Sequence, residues 1–159
     1  MPEDRILRDN LLELLNGASA HLDPATILAD FPLESYADKP AGAPYNAWQL
    51  LEHIRIALRD LLDFCINPNY LALKWPEDYW PKLEAPPSAG AWKESVSALL
   101  ADIEAFKKMV SDHATNLYST IPWGDGQTIL REILLAADHT SYHLGQIVFL
   151  KKQLDGLKN

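Results

Sequence analysis

The sequence predicts an all-α protein, a four-helix bundle with long first and second connections. Four segments space apolar residues three and four apart, no segment shows the sustained alternation of a strand, and the last segment carries two adjacent apolar stripes. A helix with two such stripes is buried over much of its circumference, as in a bundle. The length, 159 residues, suits one domain, and residues 1–159 are read as a single one.

The first helix is expected over about residues 3–20. Pro2 suits the opening turn, Glu3 and Asp4 suit the positive helix end, and Leu7, Leu11, Leu14 and Ala18 form one stripe. A connection rich in Pro and Gly follows, holding one short helix opened by Asp23 and Pro24. The second helix is expected over about residues 46–66 with Asn46 as N-cap, and Ala47, Leu51, Ile54, Leu58, Leu61 and Cys65 as its seam. Residues 67–87 interleave five prolines with Tyr70, Trp75, Tyr79 and Trp80. Aromatics this dense argue against disorder, so this loop is expected to pack over one end of the bundle.

The third helix is expected over about residues 88–114. Trp92, Val96, Leu99, Ile103, Phe106 and Val110 form its stripe, while Lys93, Glu94, Asp102, Lys107 and Lys108 face water. The fourth starts between Asp125 and Thr128 and runs to about Asp155, where Gly156 supplies a stop. Its first stripe is Ile133, Ala136, Thr140, His143, Ile147, Leu150 and Leu154. Its second is Leu130, Leu134, Ala137, Ser141, Leu144 and Val148.

Composition narrows the function. Fourteen basic against 22 acidic residues give a net charge of −8, with no electrostatic footprint for nucleic acid or an anionic membrane surface. No apolar run approaches the ~18 residues that span a bilayer. The charged opening segment lacks the apolar region of a secretory signal, so a cytoplasmic protein is expected. The single cysteine, Cys65, excludes an internal disulfide and a four-cysteine zinc site, and on the apolar seam it reads as an inert thiol. The glycines of PWGDGQ lack the following Lys and preceding strand of a phosphate loop.

The histidines carry the chemistry. His139 and His143 stand four apart, so a helix projects both from one face, with Gln146 continuing that face. Two imidazoles so placed can reach one metal ion, although any two helical histidines four apart meet the same condition. His53 lies mid-helix beside Leu50, Ile54 and Ala57, where a lone histidine is more often a hydrogen-bonded core group. Pairing the second and fourth helices would bring three imidazoles together. Three nitrogens with open positions suit a reactive metal site rather than a closed structural one. His21 and His113, at helix ends, read as structural or surface residues.

At these residues the chain resembles the DinB-like superfamily, the DinB/YfiT-like group of metalloenzymes. The resemblance rests on WQLLEHIRIALRD in the second helix and DHTSYHLGQIVFLKKQL in the last. Helix order and motif spacing extend it over nearly the whole chain. It implies a four-helix bundle, often a homodimer, binding a divalent metal through His53, His139 and His143. Leu144 stands where the family often has Arg, which leaves the triad intact but removes a charge beside it. Gln146 would orient a ligand or line the pocket. Zn²⁺ or Ni²⁺ suits imidazole.

The resemblance also implies a metal-dependent transferase that joins a low-molecular-weight thiol to a small-molecule electrophile, or a related detoxifying transferase. A hydrolase would use the same centre. The alternative is a metal-binding bundle without catalysis, serving as a sensor or interaction module. Gln49, Asp60 and Glu132 lie near the histidine faces as site-lining candidates, though a solvated or helix-pairing role is the plainer reading of each. Residues 75–80 could cap the site, with ordinary packing as the simpler account.

Overall fold

A computed structural model describes residues 2–17 and 19–157. The all-α expectation is met: five helices and, among the described residues, no strand beyond an isolated bridge between Thr120 and Thr128. They are α1 (Pro2–Asn16), α2 (Pro24–Ala29), α3 (Ala47–Ile66), α4 (Ala91–Ser111) and α5 (Ile129–Leu157). α3 packs against both α4 and α5, while α1 lies on α4 and, less extensively, on α5. The short α2 touches α4 and α5. Among the described residues, no helix is long and apolar enough to cross a membrane.

Each boundary has a local cause. Gly17, with φ of 70°, ends α1 and donates its N–H to the Glu13 carbonyl, so α1 stops at Asn16 rather than near residue 20. Ala18, expected on the α1 stripe, lies outside the described residues. Asp23 accepts from the Thr26 N–H and opens α2. Asn46 caps α3 through a reciprocal pair with Gln49: the Gln49 N–H donates to Asn46 Oδ1 and the Asn46 N–H donates to Gln49 Oε1. Gly90 and Asp112 bound α4, shorter at both ends than expected. Thr128 Oγ1 accepts from the Arg131 N–H at the start of α5. Helix α5 continues through Gly156 to Leu157, so that glycine is not a stop.

The core follows the stripes with corrections, and Leu7, Leu130, Ser141 and Val148 are only half-buried. On α1 the buried leucine is Leu15 at 5% exposure, not Leu14 at 45%. The cause is Arg8, also buried, which turns toward the end of α4 and donates to the carbonyls of Val110, Asp112 and Thr115. Asp102 does not face water but is buried on α4, where Arg59 of α3 donates to it. Leu134 is exposed, and Leu61 and Val96 are half-buried. Ile133, Ala136, Thr140, His143, Ile147, Leu150 and Leu154 are all buried, so the principal stripe of α5 is the seam.

The first long connection folds back on α4 and the second on the start of α3. Phe31 and Tyr36 from the first pack on Trp92, with Tyr36 and Trp92 stacked at 4.0 Å. In the second, Leu83 accepts from Trp48 Nε1, and Asn46 Nδ2 donates to the carbonyls of both Glu84 and Ala37. The loop of residues 67–87 is thereby pinned across the N-terminal half of α3, beside His53.

Candidate metal centre

Docking α3 onto α5 places His53 against His139 and His143. Ring nitrogens of the three lie within 4.8 Å of one another, and among the described residues no other set of three potential metal donors is so clustered. His53 and His143 are buried, and His139 is half-buried. The helical spacing of four sets the two α5 rings at 4.5 Å, and His53 meets them edge-on at 4.9 and 4.6 Å.

Two of the rings are oriented from behind. His53 Nδ1 donates to the backbone carbonyl of Tyr79 at 2.8 Å, and His143 Nδ1 donates to Gln146 Oε1 at 2.7 Å. Each bond fixes the proton on Nδ1 and leaves an Nε2 lone pair for a cation. The Nε2 atoms of His53 and His139 face each other at 3.1 Å. Two nitrogens ligating one tetrahedral ion at ~2.0–2.1 Å would be about 3.3 Å apart, so the His53–His139 pair has the spacing of two ligands on one divalent cation, and His143 completes a cluster that could hold it.

Burial lowers the pKa of all three histidines. For His53 the Tyr79 bond opposes that push, and for His143 the Gln146 bond does so. His139 is brought down to about 4 by burial, with the charges of its two neighbours adding to it. All three are therefore neutral near pH 7, the form that ligates.

The aromatic loop forms a wall. Trp80 lies flat on His53, with centroids at 4.0 Å and planes 4° apart, and Tyr45 stacks on the far face of Trp80 at 3.9 Å. Tyr142 meets His143 edge-on at 4.8 Å. Within residues 75–80, Trp80 contacts the centre while Trp75 is 68% exposed.

The remaining candidates sit as follows. Gln146 touches His143 directly. Gln49 is engaged at the α3 cap. Asp60 accepts from the hydroxyls of Tyr70 and Tyr79, at 2.9 and 2.6 Å, and so anchors the loop whose carbonyl orients His53. Glu132 is buried against Arg131, with one carboxylate oxygen lacking a hydrogen-bond partner. His21 and His113 are exposed and take no part in the cluster, the latter lying beside Asp4.

Sequence reasoning missed Tyr45, Tyr142 and the Tyr79 carbonyl. Tyr142 could have been found, since it falls between the two α5 histidines. A backbone acceptor carries no side-chain signature.

No curated protein and no solved structure matches the chain. The sequence model described as the DinB superfamily matches residues 7–147, most of the chain, including all three clustered histidines. With that match joined to the all-helical fold, the chain belongs to the DinB superfamily.

Proposed function

We propose that His53, His139 and His143 hold Zn²⁺ or Ni²⁺, and that the protein transfers a low-molecular-weight thiol to a small-molecule electrophile or performs a related detoxifying transfer. One observation carries the reading: three imidazoles, neutral near pH 7, converge, with His53 and His143 already donating their Nδ1 protons to Tyr79 and Gln146. A cation held by three neutral ligands keeps its full charge and would favour the thiolate form of a thiol.

The chain's own groups support an external nucleophile. Cys65 is buried and its thiol is pushed up to about 12, first by burial and then by the charge of Glu132, so it offers no thiolate. Trp80 and Tyr142 bring apolar surface against His53 and His143, which limits water there.

A second reading, metal binding without catalysis, draws on the carboxylates. Asp60 is engaged through both oxygens by two phenols and does not stand free as a general base, while Glu132 is paired with Arg131 through one oxygen only. Homodimerisation is also part of the proposal, with Leu134 and Tyr142 of α5 exposed at 44% and 64%.

The test is metal content by mass spectrometry on tag-free protein beside His139→Ala. About one equivalent of Zn²⁺ or Ni²⁺ per chain, lost in the variant, is the expected result. A panel of thiols and electrophiles then separates the transferase from the non-catalytic reading. No metal in either protein, and no uptake on adding both ions to folded material, would refute the metal centre.

A further inference from the structure

We infer that the cleft between residues 41–45 and the outer turns of α5 binds an uncharged, largely apolar small molecule, with Gln146 standing between its occupant and the three-histidine centre. Coupling to that centre rests on the metal reading above; the binding itself does not.

The cleft encloses about 420 Å³, within the size range of small-molecule sites. It is joined to the histidines by two separate routes. Tyr45 lines it and stacks on Trp80, which stacks on His53. Gln146 lines it from the other side and accepts the His143 Nδ1 proton. A molecule in the cleft is therefore separated from His53 by Tyr45 and Trp80, and from His143 by Gln146 alone.

The lining sets the chemistry of the occupant. No charged side chain contributes to it, so an ionic ligand would lose hydration without gaining a partner. The chain's charge of −8 adds a general penalty for anions. Phe149, 63% exposed, and Tyr45 offer aromatic surface that water leaves readily. Gln146 commits its Oε1 to His143, which leaves its amide N–H groups as donors to an acceptor on the ligand. The occupant is thus an aromatic or aliphatic body with an uncharged acceptor, such as a carbonyl, facing the Gln146 amide. At the cleft wall Gly145 keeps the space open, since a Cβ built there meets nothing within 4 Å.

The test titrates the uncharged fluorophore N-phenyl-1-naphthylamine into the full chain, with Zn²⁺ uptake followed calorimetrically on the same samples. Gly145→Leu fills the cleft, Phe149→Ala strips its aromatic wall, and His139→Ala removes a nitrogen donor. The expected result is saturable probe binding, weakened roughly tenfold or more by Gly145→Leu and several-fold by Phe149→Ala. His139→Ala keeps the probe and loses Zn²⁺, whereas Gly145→Leu keeps Zn²⁺. Equal probe binding by the parent and both cleft variants, or none, would overturn the cleft while leaving Zn²⁺ uptake intact. Sedimentation of the parent as a dimer that excludes the probe would also overturn it, by giving the cleft to a second copy. Probe binding sensitive to Gly145→Leu without Zn²⁺ uptake would instead sink the metal reading and keep the cleft.

Discussion

The Tyr79 carbonyl and the His53 Nδ1–H, 26 positions apart, form a 2.8 Å hydrogen bond that ties an irregular loop to the middle of α3. The same loop is anchored one step further back, because Asp60 on α3 accepts from the Tyr79 and Tyr70 hydroxyls. The orientation of one histidine thus depends on a carboxylate two helical turns away.

Asp60→Ala should release that anchor without touching a histidine. Metal affinity is expected to fall by about tenfold, the size of effect seen when an outer partner of a ligand is lost. Amide exchange over residues 75–80 should speed up in parallel. Chelator competition and hydrogen exchange measure the two; a mobile loop with unchanged affinity would show that the Tyr79 carbonyl does not matter to the ligand.

Gln146→Leu removes the acceptor for His143 Nδ1 while conserving bulk. Loss of about 10- to 100-fold in metal affinity is expected, with Gln146→Glu recovering most of it because a carboxylate also accepts that proton. Competition against a chromophoric chelator decides it. Equal affinities for all three proteins would refute the role of Gln146.

Arg8 closes the far end of the molecule by donating to three carbonyls at and beyond the α4 terminus. Arg8→Leu strips the donor from the buried Val110 carbonyl and from two part-buried ones, and a loss of about 3 kcal/mol is expected. For a chain of this size that lowers Tm by roughly 6–12 °C. Arg8→Lys should recover less than half, since one ammonium cannot span the fork. Calorimetry of the three proteins gives the comparison, and a Tm unchanged in Arg8→Leu would contradict it.

Acid should expose the Asp4–Arg8 pair. The Arg8 hydrogen bond, opposed by slight burial and aided by the Arg8 charge, holds the Asp4 carboxyl below its ordinary value. A lowered folded pKa stabilises the fold above the unfolded pKa, near 4, and that contribution disappears as pH falls through the folded value. The Tm advantage of the parent over Asp4→Asn should be constant near neutrality and shrink as pH falls below about 4, vanishing once the folded carboxyl is protonated. An advantage that grows in acid would reverse the sign and exclude this account.

Cys65 should be silent toward an aromatic disulfide reagent in the native state. Its thiol is pushed up to about 12 and its side chain is buried, so labelling requires opening of the core. Across a denaturant series the labelling should follow global unfolding. A fast phase in native buffer would show local access to α3.

The helices that build the centre were legible because both are seams. Ala47, Leu51, Ile54, Leu58 and Cys65 on α3 and seven residues on α5 are buried where their spacing put them. His143 lies on that seam and His139 one turn before it at the seam's edge, so their meeting with His53 needed only that α3 and α5 pack together. The end of α1 was harder. Leu14 and Leu15 are both leucines one position apart, and the choice between them turned on Arg8, whose partners lie more than a hundred residues along the chain. Asp102 read as a surface carboxylate because Arg59, which neutralises it, sits on another helix. Trp80 and Tyr45 were illegible as a stack for the same reason: loop composition gives no direction in which the loop folds back.

The facing nitrogens of His53 and His139 are 86 positions apart in the chain. No fragment lacking either α3 or α5 can contain the centre, and closing so long a loop is among the last entropic costs met in folding. During synthesis the site would therefore come into being only after α5 emerges and docks. A cation bound there would act as a latch on the finished protein, adding about 4 kcal/mol to its stability at a free concentration a thousandfold above Kd. Heat-induced unfolding of metal-loaded and metal-free material would then report assembly of the whole molecule, not of one corner of it.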